Sequence, residues 1–325
     1  MSTTPAILPT TRPDAALPGP ARIRWHLPLL VFAGISLLVA IVAAIGLVVD
    51  PRELVGAPIW AKALKFGVSF AIYAITWAWL IGQLRRLRRV AWWAGTVISL
   101  TGLFELAVIT VQVVRGHRSH FNNTNELDET LWSLMGNAVA LLWLATLIAG
   151  VAVWLRRGPD AARTLAVRAG ILLSLVGLAL GFLMTMPTEQ QLAADSDIIG
   201  AHTVGASDGG PGIPVLGWST EHGDLRIPHF VGMHALQLIP LALVLVELAS
   251  PRVAAFRSPR TRVGLVWTVA GAYAATVALV TWQALRGQSI AAPDALTLTA
   301  GAGIVVAGAA GVLLSVAAGR APARK

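Results

Sequence analysis

Long apolar runs, broken repeatedly by clusters of arginine, constrain this chain more than any other feature. A run of about 18 or more apolar residues, wound as a helix, matches the hydrocarbon thickness of a bilayer. Eight such runs are legible, at about 27–49, 59–82, 90–114, 131–155, 165–187, 229–249, 263–285 and 294–318. The expected fold is all-α: one domain over 25–318, built as a polytopic bundle of eight transmembrane helices. A disordered Pro/Thr-rich tail over 1–24 and a short tail over 319–325 flank it. Composition agrees, with 56% hydrophobic and 13% charged residues against roughly 45–50% and about 25% in soluble domains. That balance excludes an ordinary cytosolic or secreted enzyme. The first run is too long for a signal-peptide core of about 7–15 residues and reads as a retained anchor.

The net charge of +9 would suit a nucleic-acid partner if the basic residues formed one surface. Their distribution says otherwise. With the N-terminus in the cytoplasm, 18 of the 25 basic residues fall on that side, including Arg85, Arg86, Arg88 and Arg89 and the cluster Arg252, Arg257, Arg260 and Arg262. Of the 16 acidic residues, 12 lie in or beside the opposite loops. Such asymmetry orients a bundle with both termini cytoplasmic. The expected location is the bacterial inner membrane, and the expected partners are the lipid bilayer and an apolar or amphipathic small molecule, not nucleic acid. Tryptophans such as Trp25, Trp60, Trp92, Trp132 and Trp282 fall near helix ends, where indoles favour the headgroup level. Small residues at Gly170, Ser174, Gly177 and Gly181 recur at packing intervals.

Two outer loops are long for connections in a compact protein, 115–130 and 188–228. They are read either as binding elements or as disordered segments. Six of the seven histidines lie on that side, a histidine-rich outer face. Histidine titrates near neutral pH and ligates metals, so His117, His120, His229 and His234 are candidate ligands, with haem and a divalent metal as the cofactor classes left open. No H-E-x-x-H spacing supports zinc. The absence of cysteine excludes disulfides, iron–sulfur clusters, thiolate zinc and covalent haem attachment through C-x-x-C-H.

Ionisable groups inside the membrane are costly and point to function. Glu105 lies roughly 15 Å below the outer end of the third run and shares a face with Gln112. A buried carboxylate must be protonated, paired or hydrated. His234 and Gln237 share a side of the sixth run, before Pro240, which is expected to kink the helix. Lys62 and Lys65 open the second run and Asn137 sits in the outer half of the fourth. The convergence predicts a polar, outward-opening pocket among helices two, three, four and six. Its candidate catalytic residues are Glu105 and His234, and its candidate substrate-binding residues are Lys62, Lys65, Gln112, Asn137, Arg226 and Gln237. The bland alternatives are snorkelling for the lysines, interhelical hydrogen bonding for the amides, and loop closure for Asp224 and Arg226.

At these residues a resemblance emerges. Lys62-Ala-Leu-Lys65-Phe, Arg118-Ser-His120-Phe-Asn122, and Asp224-Leu-Arg226 through His229-Phe to His234-Ala-Leu-Gln237 resemble an uncharacterised group of bacterial multi-pass inner-membrane proteins. That group has no established activity, so the resemblance assigns no catalytic residue. Haem A synthases resemble the chain in helix count, but their paired histidines are missing from helices two, four and eight. The zinc-dependent ceramidase-like hydrolases space their histidines and aspartates differently.

Three functional classes remain open at this point. The pocket belongs to a membrane-embedded enzyme or redox/metal protein acting at the outer leaflet, to a proton-coupled transporter or channel, or to a sensor or assembly partner. Transport is disfavoured by the lack of an evident inverted repeat and of paired broken helices. Reporter fusions at Arg86, Asn123, Arg157, Ser207 and Arg257 are expected to read in, out, in, out, in. One clear reversal would overturn the eight-span topology.

Overall fold

The computed structural model describes residues 23–156, 158–194 and 196–320. The expected disorder of 1–22 and most of the short C-terminal tail lie outside the described residues. Helix α1 spans Leu27–Val49, α2 Ala61–Gly82, α3 Arg88–Arg115, α4 Glu126–Trp154 and α5 Ala161–Leu180. A short helix α6 covers Glu189–Ala193, and α7 Arg226–Met233 runs into α8 Ala235–Ala249. Helices α9 Pro259–Leu285 and α10 Ala295–Arg320 complete an all-α architecture. Seven helices are long and apolar enough to cross a membrane, and α7–α8 makes an eighth when its two parts are taken as one broken span. The chain therefore has the make-up of a multi-pass membrane protein.

Local chemistry sets the helix ends. His26 caps α1 by accepting from the Leu29 N–H at Nδ1, and its Nε2 donates to the Trp92 carbonyl on α3. Asn125 caps α4 six residues before the apolar run begins, and Glu126, Asp128 and Glu129 in its first turn suit the positive end of the helix dipole. That is why α4 starts at Glu126 and not near 131. Asp160 caps α5 and Ser258 caps α9, where Pro259 takes the first helical position.

One packed centre joins α1–α4 through Leu29, Phe32, Trp77, Ile81, Ile98 and Leu142. Another joins α5, α8 and α9 through Ala166, Ala235, Ile239, Val266 and Ala270. The glycine stripe of α5 explains how the second group closes. A Cβ on Gly177 would collide with the Gly232 and Met233 backbone of α7, and one on Gly170 would meet Leu236 Cα at 3.0 Å. Helix α5 thus lies backbone against backbone on the broken span, as small residues permit.

The sixth span departs from expectation. It starts at Arg226, bends by 47° and breaks at His234, six residues before Pro240. A break frees carbonyls, which in an apolar setting need other donors. The Ser174 hydroxyl on α5 donates to the Met233 carbonyl at 2.8 Å, and the Tyr273 hydroxyl on α9 to the Val231 carbonyl. Tertiary partners, more than Pro240, hold the break. Among the described residues it is a single broken span, not one of a pair.

The long 188–228 loop is folded over its described residues, so the disordered alternative fails there. Strands β3 Thr203–Val204 and β4 Gly223–Asp224 pair antiparallel within it. It is tied to the 116–125 connection through the Ile199 N–H to the Phe121 carbonyl and the Asn123 N–H to the Asp197 carbonyl. A hairpin of β1 Glu53–Leu54 and β2 Ala57–Pro58 carries Gly56 at φ +67° against the Gly209 backbone. These segments make a second layer over one end of the bundle. Replacing Gly177 by Val is expected to cost about 1–3 kcal/mol through overpacking. It should also lower the melting temperature in lipid nanodiscs, whereas Gly308→Val, in open space, should leave it unchanged.

Candidate functional site

Between the helical bundle and the loop layer lies a cavity of about 780 Å³. That is within the range of small-molecule sites, about 300–1,000 Å³. Its walls come from the starts of α2 and α4, the middle of α3, the end of α5, α7 and the loop layer. These are the helices expected from the sequence, joined by α5. Phe66, Phe70, Ile109, Leu142 and Trp143 make an apolar body, and the polar groups stand at particular points of the wall.

The cations divide by what they already hold. Lys65 Nζ donates to the Leu216 carbonyl at 2.6 Å. Arg226 donates to both oxygens of Asp224, whose side chain is fully buried, and to the Gly217 carbonyl. Asp224 also accepts the Ser219 N–H. Lys65 and Arg226 therefore line the cavity while fastening the long loop to the bundle. Lys62 differs: it lines the cavity with no hydrogen-bond partner among the described residues, its ammonium 6.0 Å from the Phe66 ring centroid.

Glu105 lies in the same wall and is 1% exposed. Neither carboxyl oxygen has a hydrogen-bond partner among the described residues. A buried polar atom left unpaired costs about 1–3 kcal/mol, more when it is charged. Lys62 is the charged neighbour that Glu105 feels. Both line the cavity and neither has an ion-pair or hydrogen-bond partner among the described residues, which is what a site awaiting a polar ligand group presents.

The other sequence candidates lie elsewhere. Gln112 is saturated: it donates to Asp128 at 2.8 Å and to the Arg118 carbonyl, and accepts from Arg115. Asp128 is the centre of that cluster, also taking Arg115, His117 and Asn125. The cluster fixes the turn between α3 and α4. Asn137 is exposed and donates to the Ser133 carbonyl of its own helix. Gln237 donates to Thr76 on α2, and His234 meets Phe230 edge-on with ring centroids 4.6 Å apart. None of Gln112, Asn137, His234 and Gln237 is on the cavity wall. The expected convergence of all these groups is corrected: the break at His234 turns the start of α8 toward α2.

The histidines raised as metal ligands are dispersed. His117 serves Asp128, and His229 donates from Nδ1 to the Gly177 carbonyl at 2.8 Å. His120 sits among Phe66, Phe121 and Trp132, with ring centroids 5.3–6.0 Å away. Among the described residues no three histidine, aspartate or glutamate side chains gather as a metal site, so this donor set does not fit a divalent ion.

One pairing was missed. His202 Nδ1 meets the Asp208 carboxylate at 2.7 Å, and both residues line the cavity. Burial lowers the His202 imidazolium below its ordinary value against the pull of Asp208, and Arg226 and Lys62 add to the lowering. Burial alone would raise Asp208, but its hydrogen bonds from His202 and from the His202 and Thr203 backbone hold it well below the usual carboxylate range. Burial, then the charges of Lys62 and His202, keep His120 well below the histidine norm. The only sequence signal was a histidine six residues before an aspartate, across Gly205 at φ +94°.

Two carboxylates should respond oppositely to mutation. Asp128→Ala strands Arg115, His117 and Gln112 and is expected to destabilise by roughly 3–5 kcal/mol. Glu105→Gln should cost no more than about 1 kcal/mol, because it breaks no hydrogen bond. Chemical denaturation in mixed micelles measures both, and a large loss in Glu105→Gln would make that residue structural. No protein-family model, curated protein or solved structure matches the chain, so the chemistry of this cavity is what bears on its function.

Proposed function

We propose that this protein is a bacterial inner-membrane enzyme whose eight spans place both termini in the cytoplasm and open the cavity toward the outer leaflet. Its substrate is an apolar or amphipathic small molecule that enters from the membrane. Supporting the orientation is the arginine excess in the connections at the end of the bundle opposite the cavity. Supporting the substrate class is a wall that is mainly aromatic and aliphatic, with few polar groups at defined points.

The observation that carries the reading is the Glu105 carboxyl, unpartnered among the described residues, on the cavity wall it shares with Lys62. In this reading Glu105 exchanges a proton with the substrate, and the Lys62 ammonium orients or polarises the substrate's oxygen. Holding such groups without partners costs stability, and a bound polar group offsets that cost. Lys65 and Arg226 act on the substrate indirectly, by keeping the loop layer closed over it.

A second reading, proton-coupled transport, gains support from the broken α7–α8 span beside the cavity. Glu105 would then carry the coupled proton.

Mass spectrometry of molecules retained through purification in native lipid nanodiscs tests the proposal. The wild-type protein should retain an amphipathic compound absent from empty nanodiscs. Its yield should fall at least tenfold in Lys62→Met, with the melting temperature little changed. Equal retention in wild type, Lys62→Met and empty discs would overturn the reading. A compound released across the bilayer of sealed vesicles without chemical change would favour transport.

A further inference from the structure

The His202–Asp208 pair has more than loop closure to account for. Asp208 already accepts the backbone N–H groups of His202 and Thr203, at 2.9–3.2 Å. The loop turn is therefore fastened without the imidazole. The ring is nonetheless held by Nδ1 on the carboxylate, and Nε2 has no hydrogen-bond partner among the described residues. The side chain is partly open, at 21% exposure, and lines the same cavity as Lys62 and Glu105. A carboxylate on Nδ1 fixes the tautomer that leaves the Nε2 lone pair free, and this makes an imidazole a directed base.

We propose that His202, positioned by Asp208, is the general base that activates water for hydrolysis of a neutral carboxylic ester of an amphipathic molecule in this cavity. The inference rests on the reading of the cavity as an enzyme site and names its reaction.

The mainly apolar wall favours a neutral substrate. Lys65 and Arg226 are committed to the loop, whereas Lys62 and Arg118 line the cavity with no side-chain hydrogen-bond partner among the described residues. A phosphodiester would bring a permanent negative charge into that apolar chamber. A neutral ester brings negative charge only as the reaction proceeds, where Lys62 can meet it.

In the step, water oxygen bonds to the ester carbonyl carbon and gives its proton to His202 Nε2. The carbonyl π pair moves onto oxygen, and that oxyanion faces Lys62. Collapse of the tetrahedral species breaks the bond to the alkoxy oxygen, which takes the proton back from the imidazolium. The products are a carboxylic acid and an alcohol, and water is the sole co-reactant. His202 is the general base of this step, alongside Lys62 at the oxyanion, and Asp208 is its positioning residue.

The test uses the full-length protein in lipid nanodiscs with p-nitrophenyl decanoate as the probe. Binding is followed by thermal shift and turnover by p-nitrophenolate release. His202→Gln is expected to reduce turnover at least 100-fold and Asp208→Asn at least tenfold, both with probe affinity within about twofold. In 15N-histidine NMR at neutral pH, the wild-type His202 signal should be the Nδ1–H tautomer, and Asp208→Asn should mix the tautomers. A purely structural His–Asp contact would leave turnover unmoved. The proposal is overturned by an Nε2–H tautomer in the wild type, or by full turnover in His202→Gln. Probe binding without turnover above empty nanodiscs overturns the ester chemistry while leaving the cavity reading intact. No binding of the probe or of decanoate overturns both.

Discussion

The backbone contact between α5 and α7 at Gly177 and Gly232 is the constraint on which the rest of the arrangement depends. It lets two helices approach as closely as their main chains allow, and it fixes where the sixth span must bend. With the bend at His234, α7 carries His229, Phe230 and Met233 to the cavity wall, while α8 packs on α5 and α9. The carbonyls exposed by the break are met by Ser174 and Tyr273. A straight helix would need neither donor. In a medium without water those hydroxyls are what makes a broken span tolerable.

The buried polar groups fall into two kinds, and hydrogen-bond accounting separates them. Asp128 sits at the centre of a cluster in which both of its oxygens are taken by Gln112, Arg115, His117 and Asn125. Such a cluster specifies one geometry for the α3–α4 turn. Glu105, on the same face of α3 as Gln112 and two turns away, has no partner for either oxygen among the described residues. Structural polar groups are satisfied by the fold itself, and functional ones are left for something the fold admits.

The loop layer makes the cavity a chamber. Lys65 on α2 holds Leu216, Arg226 at the start of α7 holds Gly217, and Ser289 in the α9–α10 connection holds Ser219. Three parts of the bundle thus grip one stretch of loop. That grip brings the His202–Asp208 pair over the cavity whose walls hold Lys62 and Glu105. Two cations that read as ligand-binding in the sequence are consumed in building the chamber.

Apolar run length is a property of contiguous sequence, so the all-α class and the multi-pass make-up, seven to eight candidate spans, are legible in the chain alone. The sequence also singled out Glu105 and Lys62, because an ionisable side chain inside an apolar run is conspicuous whatever its neighbours are. It did not reveal that Gln112 is saturated, that Asn137 faces away, or that the sixth span breaks at His234. Those outcomes depend on Asp128, Ser133, Ser174 and Tyr273, which are distant in sequence or only apparent once helices are rotated against one another. The His202–Asp208 pair was decided by tertiary structure for the same reason. A loop has no period from which the direction of a side chain can be read, and only the folded turn brings imidazole and carboxylate together at the cavity wall.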